Sequence, residues 1–322
     1  MDSNHRPPPC QGAERRPQPQ ALTLQRAVAE LIAVDWGTSS LRGARLGADG
    51  VVVEERAFPR GILSVPKDGF AAVFDQCFGD WMTPPGTRSL ISGMAGSAQG
   101  WIEAPYCACP AGLADVAARL VWVAPGRIAI VPGLSCEHTG VPDVIRGEET
   151  QVFGALRLQG VDSGTLVLPG THSKWVQVEA GRIVSFATLM TGEFYALLRR
   201  HSILARTLPA DDTELHDDAF DAGVAHALRS PGLLQSAFSV RTLSLFDRLP
   251  MAERPSYLSG LAIGEELRSR PLERGAQLVV VGADALTRRY ERALAQRGVR
   301  MRSVGTQAAW RGLWDIARTI DT

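Results

Sequence analysis

The sequence lacks the features that would mark a chain for a membrane, for nucleic acid or for a disulfide framework. No apolar run is long enough to span a bilayer. There is no net charge, because 34 Lys and Arg balance 34 Asp and Glu. The overall charge therefore implies neither a nucleic-acid nor an anionic-membrane partner. Cysteine is scarce, with five residues in a chain of 322. An odd, thinly spread set in a chain able to build its own core points to reduced thiols and a cytoplasmic setting. Cys107 and Cys109 form the one close pair. A single CxC without Cys or His at ligand spacing is a weak metal signal. What is present is ordinary for a globular protein: 45% hydrophobic and 21% charged residues, in a length that fits two domains or one large one.

Residues 1–29 differ from the rest. The first twenty of them, MDSNHRPPPCQGAERRPQPQ, are rich in Pro, Gln and Arg with almost no apolar residues. Such a segment cannot bury enough surface to offset its ordering entropy, and it lacks the apolar core of a secretory signal. It reads as a disordered tail or a start-site extension.

The first folded stretch is LIAVDWGTSS, Leu31–Ser40. A buried-strand run delivers a carboxylate, Asp35, and then a Gly37-Thr38-Ser39 turn. Backbone N–H groups and hydroxyls in such a turn suit phosphate, and the acid suits Mg²⁺, which takes few carboxylates. Taken alone, the same pattern is more often a plain hairpin turn whose acid satisfies its own backbone. Strand runs follow at 41–46 and 51–58, with an Asp49-Gly50 hairpin signal between them. Helical spacing of Phe70, Val73, Phe74, Cys77, Phe78 and Trp81 predicts a helix over 70–81. A strand at 88–92 runs into the small-residue loop SGMAGSAQGW, and another lies at 128–131. The acid-rich loop PDVIRGEET then passes into a helix at 148–158.

The second half opens with TLVLPGTHSKWVQV, and here the pattern repeats. Gly37 falls on Gly170, Thr38 on Thr171 and Ser40 on Ser173. Each copy reads as strand, small polar turn, strand, glycine turn, strand. A repeat at this spacing is too long for a solenoid and predicts two duplicated domains, each presenting a turn to a shared cleft. The expected boundaries are 30–160 and 161–322. Thr191 is the expected N-cap of the next helix. Helices are predicted at about 192–200, 212–229, 232–246, 256–270, 285–297 and 308–320, with strands at 277–281 and 300–304.

These motifs together resemble the actin/sugar-kinase/Hsp70 ATPase superfamily. At family level the chain is similar to the 2-keto-3-deoxygalactonate kinases. The segments that carry the likeness are AVDWGTSSLR, RGILSVP, SGMAGSAQGWIEAPY, IVPGLS, PDVIRGEETQVFGAL, LPGTHSKWV, TGEFYALLRRHSIL, FSVRTLSLF, SYLSGLAIGEEL and VVVGADALTRRY. They span about residues 31–290. The resemblance implies an α/β fold of two ribonuclease H-like, actin-like ATPase domains, each a mixed sheet with flanking helices around an interdomain cleft. It also implies ATP with Mg²⁺ as phosphoryl donor, and a 2-keto-3-deoxy sugar acid as acceptor in galactonate breakdown. A homodimer is compatible with it.

On this reading Asp35 organises the metal. Gly37, Thr38 and Ser39 contact phosphates from one domain, and Gly170, Thr171, Ser173 and Lys174 from the other. Gly282 and Ala283 let adenosine lie on bare backbone. The general base comes from the acid-rich loop, in the order Glu149, Glu148, Asp143, although the familiar Asp-containing sugar-kinase signature is absent and acids there also suit a helix first turn. Arg146 and Arg60 are the candidate cations for the acceptor's carboxylate. Ser92, Gly93, Gly96 and Trp101 complete the expected sugar-acid site, although core packing is the safer reading for Trp101. Two alternatives stay open: a kinase for another sugar or 2-keto-3-deoxy sugar acid such as the gluconate epimer, and an actin-like ATP switch with no small-molecule acceptor.

Overall fold

The computed structural model describes residues 30–211 and 214–320. The expected tail, 1–29, lies outside the described residues.

The first half holds strands β1 (Leu31–Trp36), β2 (Leu41–Leu46), β3 (Val52–Phe58), β4 (Arg88–Gly93), β5 (Cys107–Ala108), β6 (Val121–Ala124), β7 (Ile128–Ile130), β8 (Leu134–His138) and β9 (Val141–Ile145). Its helices are α1 (Phe70–Phe78), α2 (Leu113–Ala117) and α3 (Glu148–Gln159). The second half holds β10 (Gly164–Leu168), β11 (Ser173–Glu179), β12 (Arg182–Leu189), β13 (Gln277–Val281) and β14 (Arg300–Val304). Around them lie α4 (Thr191–His201), α5 (Asp217–Arg229), α6 (Leu233–Ser236), α7 (Ser239–Leu245), α8 (Arg254–Arg268), α9 (Asp284–Gln296) and α10 (Gln307–Ile320).

The repeat seen in the sequence is a repeat of topology. One sheet has the order β3-β2-β1-β4-β7-β6, the other β12-β11-β10-β13-β14. In both, three antiparallel strands are followed by parallel ones, β4 beside β1 and β13 beside β10. This is the expected pair of ribonuclease H-like sheets of the actin-like ATPase fold. A parallel neighbour needs a crossover covering the sheet faces, so these strands are buried on both sides and read as continuous apolar runs. In β1, Leu31 and Ala33 face one core while Ile32, Val34 and Trp36 face another. In β13, Val279 and Val281 face the core shared with the first sheet, and Leu278 and Val280 face away from it.

That shared core is built around α3 and α10, which cross in direct backbone contact. A Cβ at Gly154 would lie 1.8 Å from Ala308 O, and one at Gly312 would lie 1.8 Å from Thr150 O. No side chain fits there without prising the helices apart. Although α10 ends the second half of the chain, its Trp310 Nε1 donates to Glu55 Oε1 of β3 at 2.7 Å. Gly312→Ala is therefore expected to destabilise the protein by about 1–3 kcal/mol through overpacking, with a lowered Tm on thermal unfolding. An unchanged Tm would show that the crossing has slack.

Several expectations need correction. The helix predicted over 70–81 ends at Phe78, because Gly79 and the turn after it stop the helix; Trp81 still stacks on Phe78, ring centroids 5.4 Å apart. The helix predicted over 232–246 is two short ones. The Ser239 hydroxyl bonds Ser236 O at 2.6 Å, the local competition by which serine interrupts helices. The start of the helix predicted over 212–229 falls partly outside the described residues, and α5 begins at Asp217. The segment between the small-residue loop and α3, expected to carry one strand, also holds a small β5-β8-β9 sheet and the edge strand β6. These short strands lack the alternation that would announce them.

Candidate active site

Three chain segments of the first half meet at one point. Asp35 is the last residue but one of β1, Ser92-Gly93 ends β4, and Gly147–Thr150 opens α3. Gly93 has φ 92° and Gly147 φ 105°, a region that favours glycine. A Cβ on Gly93 would lie 2.8 Å from Trp36 O and 3.3 Å from Asp35 Oδ1, and one on Gly147 would lie 3.2 Å from Gly93 Cα. The backbone is thus packed to bring the acid of β1 close to the start of α3. Asp35 is 15% exposed and forms an ion pair with Arg42, its register partner on β2.

Both turns of the repeat are open to solvent at their tips, at Thr38-Ser39 and at Thr171-His172. Both are backed by a glycine that the sequence reading missed. Ile62 N donates to Gly37 O at 3.0 Å, and a Cβ on Gly61 would lie 2.2 Å from Thr38 O. In the second half Glu193 N donates to Thr171 O at 3.0 Å, and a Cβ on Gly192 would lie 2.4 Å from Gly170 O. Extending the repeat past its third strand would have found this pair, since each glycine follows that strand. Gly282 lies beside Pro169, and a Cβ there would meet nothing closer than 3.8 Å, so its face is open. Ala283, also exposed, precedes α9. A hollow of ≈ 80 Å³ between α4, α8 and α9 is lined by Gly170, Gly192, Leu286 and Arg289. A larger one of ≈ 930 Å³ lies at the far ends of α3 and α10 and contains none of the residues singled out above.

The three candidate bases have different fates. Glu149 is fully buried; its Oε2 accepts from Gly147 N at 2.7 Å, and its Oε1 has no partner. Burial first, and the neighbouring Glu148 charge second, push its carboxyl up to about 8. Glu148 accepts from Arg146 N at 2.9 Å and pairs with Lys174 Nζ at 3.3 Å. Lys174 belongs to β11, so this pair joins the two halves of the chain across the site. Asp143 sits not in a loop but in β9. Its oxygens accept from Thr188 N and Oγ1, both at 2.7 Å, which ties it to β12 instead of the site.

The expected sugar-acid residues divide similarly. The Arg146 guanidinium lies 4.3 Å from the Tyr106 ring centroid and donates through Nη2 to Ala104 O at 2.9 Å. Its Nε and Nη1 are buried without a partner. A Cβ on Gly96 would lie 2.8 Å from Nη1, so that glycine makes room for the cation. Ser92 faces Thr150, Oγ to Oγ1 3.1 Å, and so holds the start of α3. Trp101 packs on Trp36 and Phe74, ring centroids 6.2 and 5.7 Å apart, the core role rather than an open sugar platform. Arg60 is exposed beside the first turn and donates to Gln76 at 2.8 Å. Thr191 is not an N-cap but the first residue of α4, and its hydroxyl goes to Glu266. Ser173 does not reach the cleft: it is fully buried, and its hydroxyl also goes to Glu266, at 2.9 Å. No local signal marked Glu266, which is 93 residues away in sequence.

The likeness to known proteins is extensive. A family profile described as 2-keto-3-deoxy-galactonokinase matches residues 35–316. A protein from Rhizobium meliloti (strain 1021) named "Probable 2-dehydro-3-deoxygalactonokinase DgoK1" is 37% identical over 298 residues, 88% of this chain and 97% of that one. The 2-dehydro-3-deoxygalactonokinase of Escherichia coli (strain K12) is 35% identical over 295 residues, 91% of this chain and 99% of that one. A crystal structure from Sinorhizobium meliloti, described as that of a 2-dehydro-3-deoxygalactonokinase protein, superposes with a TM-score of 0.82 at 36% identity, covering 91% of this chain and 99% of the other. With the duplicated sheets, the two backed turns and the acids at the start of α3, these matches settle the family: the chain belongs to the 2-keto-3-deoxy-galactonokinases.

Proposed function

We propose that this chain transfers the γ-phosphoryl group of ATP to the terminal C6 hydroxyl of 2-dehydro-3-deoxy-D-galactonate, in the cytoplasmic breakdown of galactonate. The site is the cleft between a domain of residues 30–160 and one of residues 161–322. The observation that carries the choice of a sugar acid is Arg146. Its Nε and Nη1 are buried with no protein acceptor, which is costly, and the carboxylate of a sugar acid would supply a charged acceptor to one of them. The switch reading leaves that cation unexplained.

The first turn, Gly37-Thr38-Ser39, and the second, Gly170-Thr171, hold the donor's phosphates from opposite sides, with Lys174 as a second-domain cation. Adenosine lies against Gly282 and Ala283. The acceptor's carboxylate pairs with Arg146 over Tyr106. Glu149 Oε1 takes the proton of the terminal hydroxyl as its oxygen bonds to the γ-phosphorus; the bond from that phosphorus to the β–γ bridging oxygen breaks, and ADP leaves. Closing the two halves, already bridged by Glu148 and Lys174, excludes water, so that the sugar hydroxyl is the one that attacks.

The residues at the first turn fit Mg²⁺. Among the described residues, no group of three or more His, Cys, Asp and Glu side chains is placed to cage a metal. A single carboxylate, Asp35, beside phosphate-facing hydroxyls is the arrangement in which Mg²⁺ relies on waters and substrate phosphates. Bound there, the ion neutralises charge on the transferring group.

The test is a coupled ATP-consumption assay over a panel of aldonic and 2-keto-3-deoxy acids. ATP consumption is expected to require the galacto 2-keto-3-deoxy acid, and the product to carry phosphate at C6. Consumption independent of any acid, or faster with the gluconate epimer, would overturn the assignment. Arg146→Leu is expected to raise KM for the acid by about 100-fold, consistent with losing a charge-assisted hydrogen bond, with KM for ATP little changed.

A further inference from the structure

Glu266 is a carboxylate on α8 that no step above uses. It is 2% exposed and serves four donors. Oε1 accepts from Ser173 Oγ at 2.9 Å and Trp175 Nε1 at 2.7 Å. Oε2 accepts from Tyr290 OH at 2.8 Å and from the Thr191 hydroxyl. Arg270 adds a longer-range attraction. A carboxylate this deep persists because every partner is a donor.

The origin of those donors matters more than their number. Ser173 and Trp175 lie where the chain leaves the second turn. Thr191 opens α4, and Gly192 beside it is the glycine that backs Gly170 and Thr171. Tyr290 lies on α9, the helix that follows Gly282-Ala283. One side chain thus ties together the exit of the turn, its backing and the adenosine-side helix. We propose that Glu266 is a positioning residue for the phosphoryl donor, holding the Gly170–His172 turn and α9 in the mutual arrangement that ATP requires. This rests on the reading above that the second turn takes the donor's phosphates.

Steady-state kinetics on the full chain provide the test. Glu266→Leu is expected to raise KM for ATP by about ten-fold or more, while KM for the sugar acid stays within about two-fold. Glu266→Gln is expected to restore ATP affinity to within about three-fold. Its amide oxygen still accepts from Ser173 and Trp175, and its NH₂ can donate to the Thr191 and Tyr290 hydroxyls once these turn round. Should Glu266→Leu fail to fold, the double variant Ser173→Ala/Thr191→Val removes two donors and keeps the carboxylate. It is expected to raise KM for ATP several-fold with KM for the acid unchanged. A fall in Tm with both KM values unchanged, or with both raised alike, would mean that Glu266 only stabilises the fold, and overturns the proposal. Thr171→Val separates the two readings. If it leaves KM for ATP unchanged, the phosphate role of the turn fails. If it raises KM for ATP while Glu266→Leu does not, only the role of Glu266 fails.

Discussion

Asp35→Asn is expected to lower kcat by about 1,000-fold or more at saturating ATP and sugar acid, with Tm within a few degrees of the parent. In the proposed role of Asp35 as the metal-organising carboxylate, its loss would remove several kcal/mol of charge stabilisation in the transition state, and each 1.36 kcal/mol is about ten-fold in rate. The fold should survive, because the replacement is isosteric and an amide oxygen can still accept from Arg42, the partner of Asp35 across the β1–β2 register. The variant should also need more Mg²⁺ to reach half-maximal rate. Turnover within ten-fold of the parent, at the same Mg²⁺ requirement, would remove Asp35 from the reaction.

Glu149→Gln is expected to cost about 100- to 10,000-fold in kcat, the usual span for a positioned general base. Two further readouts follow from its burial. The carboxyl is pushed up to about 8, so at neutral pH most of it carries a proton. Because a base must be ionised, kcat of the parent should rise with pH towards about 8, and the Gln variant should lose that limb. Stability runs the other way. In the unfolded chain the carboxyl ionises in the ordinary range, near 4.5, whereas the folded protein favours the protonated form. The contribution of Glu149 to stability is therefore fully present below that range and is lost as pH climbs through about 8. Parent Tm should fall over this window, and the fall should be shallower in Glu149→Gln. A variant that keeps both the activity limb and the parental Tm slope would return the base to Glu148, the other acid at the start of α3.

Most of the fold was legible because its determinants are local. The runs LIAV of β1 and LVVV of β13 are buried on both faces and show it as unbroken apolar sequence, and β13 and β14 fall where the sequence put them. The repeat was legible because both copies kept the same turn residues. The β5-β8-β9 sheet was not, because its strands are two to five residues long and their pairing, not their composition, makes them strands. Asp143 was misplaced for that reason: in a loop it would be free to act, but in β9 it is bound to Thr188.

The candidate site divides along the same line. Sequence alone was enough to nominate Asp35, the two turns, the acids of RGEET and Arg146, since each is a residue type demanded at a recognisable point of a strand or helix end. It was also enough for the family and for the duplicated pair of sheets. Only the tertiary structure decided which of those groups are still unpaired. It left Glu149 Oε1 and two nitrogens of Arg146 without partners, spent Ser92 on Thr150, and turned Ser173 inward to Glu266. A side chain's chemistry is written in its identity. Whether that chemistry is available depends on which partners the fold brings within hydrogen-bond reach, and those partners come from residues tens of positions away in the chain.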